Sequence, residues 1–248
     1  MQKDKVALIT GGTGDIGTAL AKQLDPLYGK VIALDIISLE KGDLWLSELH
    51  EQGYHQVGYR QMDVTNFDNC KLVIDSIFKE FGRIDVLINN AGITRDAVFN
   101  KMTQQQWNEV LGVNLDGMFN VTRHVVDYMR SQESGRIINI SSVNAQKGQF
   151  SQANYAASKA GVYGFTKSLA QELMSKNITV NSISPGYVNT RLMQNIRPDI
   201  LEAIIQLIPA KRLAEPEEVA WVVEFLANDK SRYISGANLS VNGGLHMY

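Results

Sequence analysis

The first apolar run of the sequence, residues 6–9, breaks directly into Thr10-Gly11-Gly12-Thr13-Gly14-Asp15-Ile16-Gly17, and a helical pattern follows at once. Few folds put so many glycines between a buried strand and a helix. Gly12, Gly14 and Gly17 form a G-x-G-x-x-G in the strand–turn–helix setting that gives this pattern its meaning. Glycines permit the tight turn and let the backbone approach a pyrophosphate, which then meets the positive end of the helix. A turn that serves only the fold is the plainer reading. Its position at the first strand of an alternating chain counts against it.

That alternation runs the length of the chain. Short Val/Ile/Leu-rich runs at residues 6–9, 31–34, 57–60, 86–89, 137–140, 179–183 and 238–241 alternate with helical stretches such as 66–81, 104–130, 154–175 and 217–228. Parallel strands need long crossovers, so the pattern predicts an α/β fold. It is a Rossmann-type, doubly wound parallel sheet of about seven strands with helices on both faces. No linker or repeat divides residues 1–248, and a single domain is expected. A net charge of −2 and the lack of a basic run argue against a nucleic-acid partner. No apolar stretch reaches membrane-spanning length, and the first strand begins too early for a signal peptide, so a cytoplasmic protein with no membrane partner is expected. Cys70 is alone and reads as a packing residue, while His50, His55, His124 and His246 lack ligand spacing; no metal site is expected.

Two further features carry chemistry. The second strand ends at Asp35, roughly 20 residues past the glycines, where a carboxylate accepts hydrogen bonds from the ribose hydroxyls of NAD(H). It would repel the extra phosphate of NADP(H), and no Arg or Lys stands at Gly14, Ile36 or Ile37 to compensate. Capping of the turn into the next helix is the alternative role for Asp35. Further on, Tyr155 and Lys159 stand four residues apart on one helix face, with Ser142 thirteen residues before Tyr155, just past the fifth strand. A cation beside a phenol stabilises phenolate and lowers its pKa towards the range of general acid–base catalysis. The serine hydroxyl can orient a substrate carbonyl there, since strand carboxyl ends face the ligand crevice.

On these marks, together with Asp63-Val64, Asn89-Asn90-Ala91-Gly92, Asn114 and Pro185-Gly186 running to Thr190, the chain resembles the short-chain dehydrogenase/reductase family over essentially its whole length. The resemblance implies an oxidoreductase with Asn114, Ser142, Tyr155 and Lys159 as catalytic residues, Asn114 holding a relay water. It implies a cofactor site of Gly11, Gly12, Gly14, Asp15, Ile16, Gly17, Asp35, Asp63, Val64, Asn90, Ala91, Gly92, Tyr155, Lys159, Pro185, Gly186, Val188 and Thr190. NAD(H) is favoured by Asp35, with NADP(H) the alternative. One position departs from the family: its loop usually has glycine where this chain has Asp15. Either that carboxylate points to solvent or it weakens phosphate binding.

Within the family, residues 92–96, 142–152 and 242–247 resemble acetoacetyl-CoA reductases, which make (R)-3-hydroxybutyryl-CoA for polyhydroxybutyrate biosynthesis. The resemblance implies a small CoA thioester substrate bordered by Asp96, Lys101, Ser142, Gln149, Phe150, Gln152 and Tyr187. The nearest alternative is 3-oxoacyl-(acyl-carrier-protein) reductase, which docks its carrier protein on basic residues; here Glu133 stands at one such place, with Lys176 still available. A dinucleotide-binding sensor without activity is the alternative of another class, and four intact catalytic positions argue against it. Residues 188–212 are expected to form a substrate lid. Its apolar face would comprise Ile200, Leu201, Ile204, Ile205 and Ile208, while Arg191, Arg197, Lys211 and Arg212 either attract CoA phosphates or form a solvated face. A homotetramer is implied by the family.

Overall fold

In the computed structural model, which describes residues 2–247, the strands are β1 (Gln2–Thr10), β2 (Tyr28–Asp35), β3 (Val57–Gln61), β4 (Val86–Asn89), β5 (Gly135–Ile140), β6 (Ile178–Pro185) and β7 (Asn238–Val241). They form one sheet in the order β3-β2-β1-β4-β5-β6-β7, with every neighbouring pair parallel. The expected seven-stranded, doubly wound sheet is therefore present. Alternation along β1 shows why both faces are covered. Ala7 and Ile9 join one core cluster with Leu20 and Val223, while Val6 and Leu8 join another with Ile74 and Val125. Cys70 lies fully buried in the second cluster, as a packing residue should.

The helices are α1 (Asp15–Leu24), α2 (Leu39–Glu51), α3 (Phe67–Phe81), α4 (Gln104–Leu111), α5 (Gly117–Gln132), α6 (Val143–Lys147), α7 (Ala153–Leu173), α8 (Arg191–Gln194), α9 (Pro198–Leu207) and α10 (Pro216–Ala227). Local chemistry sets many of their ends. The Asn66 side chain accepts from the Asn69 N–H to start α3, and Gly82 at φ 72° ends it. Thr103 and Gln106 form a reciprocal capping box at the start of α4.

The stretch read from sequence as one helix over 104–130 is interrupted. Gly112–Asp116 forms a wider π-type turn between α4 and α5, in which the Gly117 N–H reaches back to the Gly112 carbonyl. Such insertions recur at functional sites. This one rotates Asn114 fully inward beneath the cleft described next.

Candidate active site

Strand order reverses between β1 and β4, and ligand crevices in such sheets open beyond the carboxyl ends of the strands at that point. A cleft of about 830 Å³ opens there. Its walls include Gly11, Gly14, Asp15, Ile16, Gly17, Asp35, Asp63, Val64, Asn90, Ala91, Gly92, Tyr155, Lys159, Pro185, Gly186, Val188 and Thr190, so all but one of the expected cofactor residues converge on it. The exception is Gly12. It is buried behind the loop, where a Cβ would fall 2.6 Å from the Ala33 Cβ. Its lack of a side chain lets the loop lie against β2 and does not open the phosphate face, a correction to its expected role.

The glycine loop fits a dinucleotide on steric grounds. A Cβ on Gly17 would lie 2.2 Å from the Gly11 carbonyl oxygen, so the loop packs tightly on its inner side. At Gly14 a Cβ would meet only that same oxygen at 3.4 Å, which leaves the outer side open. Gly14 caps α1 without a side-chain hydrogen bond, so first-turn N–H groups remain for an anion.

Asp35 is pinned at the cleft wall. Its Oδ2 accepts from the Thr13 hydroxyl at 2.6 Å and the Thr13 N–H at 3.1 Å, and its Oδ1 from the Ile36 N–H at 2.8 Å. Oδ2 thus accepts twice, and Oδ1 keeps one lone pair for a further donor. Thr13, passed over in the sequence, thus orients the acid at the cleft wall. A contact between loop residue and strand end is visible only once the fold brings them together.

The candidate catalytic residues meet at the inner end of the cleft. Ser142 follows β5 and caps α6, its Oγ accepting from the Asn144 N–H at 3.1 Å. Ser142 stands near enough to the Tyr155 phenol to favour its ionised form. Lys159 is buried, and its Nζ donates to the Ile140 carbonyl at 2.8 Å. A Cβ at Gly92 would lie 3.3 Å from Lys159 Nζ and 3.4 Å from Asn114 Oδ1, so both groups press on one glycine. The Asn114 amide clamps the backbone after β4, accepting from the Ile93 N–H and donating to the Ile93 carbonyl and the Ser158 hydroxyl.

The electrostatics differ from the expected tuning. Burial raises the Tyr155 phenol above its ordinary 10, Ser142 pulls it down, and the Asp96 carboxylate pushes it up. The Lys159 ammonium is 6.0 Å from the Tyr155 ring centroid, and burial lowers it to about 8. The phenol therefore holds its proton, in the form a proton donor needs, and no lowering by Lys159 is found.

The short chain dehydrogenase family model matches residues 5–201. The chain belongs to that family. It is 45% identical over 243 residues to an acetoacetyl-CoA reductase of Cupriavidus necator, covering 98% of each chain. An acetoacetyl-CoA reductase of Allochromatium vinosum is 46% identical over 245 residues, covering 98% of this chain and 99% of the relative. A 3-oxoacyl-(acyl-carrier-protein) reductase of Thermotoga maritima is 44% identical over 241 residues, covering 97% of each.

Among short-chain dehydrogenases the catalytic centre is shared and the rim distinguishes members, so the rim residues matter here. Of the expected substrate residues, Ser142, Gln152 and Tyr187 line the cleft. Asp96 reaches it through Gln152, whose Nε2 donates to Asp96 Oδ2 at 2.9 Å. Gln149 Oε1 accepts from Lys147 at 2.7 Å and from the Tyr187 hydroxyl at 3.4 Å. Phe150 is 81% exposed and Lys101 is exposed beside α4; neither lines the cleft.

Asn144 was missed in the sequence. Because a carboxylate only accepts, Asp96 fixes the Gln152 amide, which in turn accepts from Asn144 Nδ2 at 2.9 Å. That leaves Asn144 Oδ1 buried at the cleft with no protein donor among the described residues.

The cations of residues 188–212 are not a free patch. Arg191 pairs with Asp15, Arg197 with Asp199 and Arg212 with Glu218, while Lys211 donates to the Gln206 carbonyl. Lys176 pairs with Glu133 at 2.8 Å, so the cation expected to remain available for a carrier protein is engaged. Asp15 does not point freely to solvent: Arg191 holds it.

Proposed function

We propose that this chain is an NADH-preferring reductase of short β-ketoacyl thioesters, converting acetoacetyl-CoA to (R)-3-hydroxybutyryl-CoA. The observation that carries the reading is the meeting of Tyr155, Ser142 and Lys159 at the inner end of a dinucleotide-sized cleft. The full-length relatives named for that reaction support the substrate. A bound nicotinamide would supply the hydride for the keto carbon. Ser142 Oγ hydrogen-bonds the keto oxygen and orients it, and Tyr155 gives that oxygen its proton. Lys159 would hold the nicotinamide ribose of a bound cofactor, Asn114 shapes the β4 turn beside it, and Asp35 Oδ1 would accept from an adenosine ribose hydroxyl. Asp63, Val64, Asn90, Val188 and Thr190 complete the cofactor walls.

The acyl chain lies between Gln152, Gln149 and Tyr187, and residues 188–212 close over it. The α9 side chains Ile200, Leu201, Ile204 and Ile205 remain partly exposed, an apolar surface suited to excluding water from the reacting carbon. Self-association to a homotetramer belongs to this reading through the family resemblance alone. No helix among the described residues is long and apolar enough to cross a membrane. A CoA substrate and a nicotinamide cofactor suit the cytoplasm.

The Glu133–Lys176 pair favours CoA over a carrier protein, because a docking face for an acidic partner needs unpaired cations. The test is a substrate panel: acetoacetyl-CoA and the matching carrier-protein thioester, each with NADH and NADPH. Highest kcat/KM with acetoacetyl-CoA and NADH is the expected outcome. A clear preference for the carrier-protein thioester would replace the substrate assignment, and a clear preference for NADPH would show that Asp35 does not exclude the extra phosphate.

A further inference from the structure

Asp15 opens α1 at the helix end that faces the cleft, and Arg191 opens α8 at the cleft's far edge. They meet across 176 residues of sequence. The Arg191 N–H donates to Asp15 Oδ2 at 2.7 Å, and its guanidinium Nε donates to Asp15 Oδ1 at 2.7 Å. The pair does little for stability, since the Arg191 side chain is 72% exposed and exposed pairs contribute little. Nor does Asp15 need a cation for its own sake, because a helix N-terminus already favours a carboxylate.

The group that needs the cation is a second anion at the same helix end. A pyrophosphate at the α1 N-terminus would sit beside the Asp15 carboxylate, and the two would repel. We infer that Arg191 is a cofactor-positioning residue: by pairing with Asp15 it offsets that negative charge at the phosphate end of the cleft. The same contact anchors Thr190, Leu192 and Met193 where they line that cleft. The inference rests on the cleft binding a dinucleotide.

The inference predicts a dependence of one residue on the other. Without Arg191, the bare Asp15 charge weakens dinucleotide binding; without Asp15, nothing holds the 72% exposed Arg191 side chain at the phosphate end, and it turns to solvent. Four proteins test this by calorimetric titration with NADH, at low and high salt: wild type, Arg191→Gln, Asp15→Asn and the double variant. Arg191→Gln should bind about tenfold more weakly, ~1.4 kcal/mol, and the loss should shrink at high salt. Asp15→Asn should bind as tightly as wild type or more tightly, and the double variant should match Asp15→Asn. Adenosine, which carries no phosphate, should bind all four alike.

A loss from Arg191→Gln that persists in the Asp15→Asn background would overturn the inference, because Arg191 would then act independently of Asp15. A parallel loss of adenosine affinity would overturn it as well, marking a structural defect. Failure of the wild type to bind either NADH or NADPH would instead refute the cofactor reading beneath it.

Discussion

Replacing Lys159 with methionine removes a buried ammonium while keeping most of the side chain's volume. Lys159 is 3% exposed, and burial holds its ammonium at about 8 against an ordinary 10.5. At ~1.4 kcal/mol per pH unit, keeping it charged in the folded protein at neutral pH costs about 3 kcal/mol. The variant loses one hydrogen bond from a charged donor, Nζ to the Ile140 carbonyl, about 2 kcal/mol in the other direction. The balance is a gain of about 1 kcal/mol, which for a chain of this size raises Tm by about 2–4 °C.

The gain depends on pH with a definite sign. Between about 8 and 10.5 the folded wild type has released the proton that the unfolded chain still holds, so wild-type stability rises with pH through that window. The advantage of Lys159→Met is therefore full below about 8 and gone above 10.5. Thermal melts of both proteins without cofactor, at neutral pH and at steps up to the top of that window, measure it. A Met variant less stable at neutral pH, or a difference that stays flat across the window, would refute the reasoning. The same substitution should abolish turnover, a case of stability given up for function.

Tyr155→Phe should lower kcat with acetoacetyl-CoA by at least ~10²-fold while leaving NADH affinity unchanged by calorimetry, because only the transferable proton is removed. Undiminished turnover would remove Tyr155 from its role as proton donor. Asp35→Ser combined with Ile36→Arg should reverse the preference towards NADPH, with each ~1.4 kcal/mol worth tenfold in the ratio of the two kcat/KM values. An unchanged ratio would show that the Thr13-held carboxylate does not contact the ribose.

The parallel sheet and the convergence of the glycine loop with the later motifs on one cleft were legible because they rest on local signals. Apolar runs separated by amphipathic stretches specify parallel pairing, and the glycine loop marks where the crevice opens. The meeting of the candidate catalytic residues was legible for the same reason, since Tyr155 and Lys159 share a helix turn and Ser142 follows the preceding strand. Contacts between distant segments were not. The clasp of Asp15 by Arg191, the grip of Thr13 on Asp35 and the chain from Asp96 through Gln152 to Asn144 join separate loops, and no periodicity announces them. Gly12 misled because a motif gives all its glycines one role, while packing on Ala33 gives this one another. The expected lowering of the Tyr155 phenol failed because proximity in sequence says nothing of burial, and burial dominates both Tyr155 and Lys159.

Direct transfer of hydride to the β-carbon is the central claim, and isotope tracing measures it most directly. NADH carrying deuterium at its transferable position is mixed with acetoacetyl-CoA and the protein, and the product is analysed by mass spectrometry and chiral separation. The account predicts (R)-3-hydroxybutyryl-CoA with one deuterium bound to C3. Product without deuterium at C3, or no reduction of acetoacetyl-CoA by an NADH-binding protein, would contradict it.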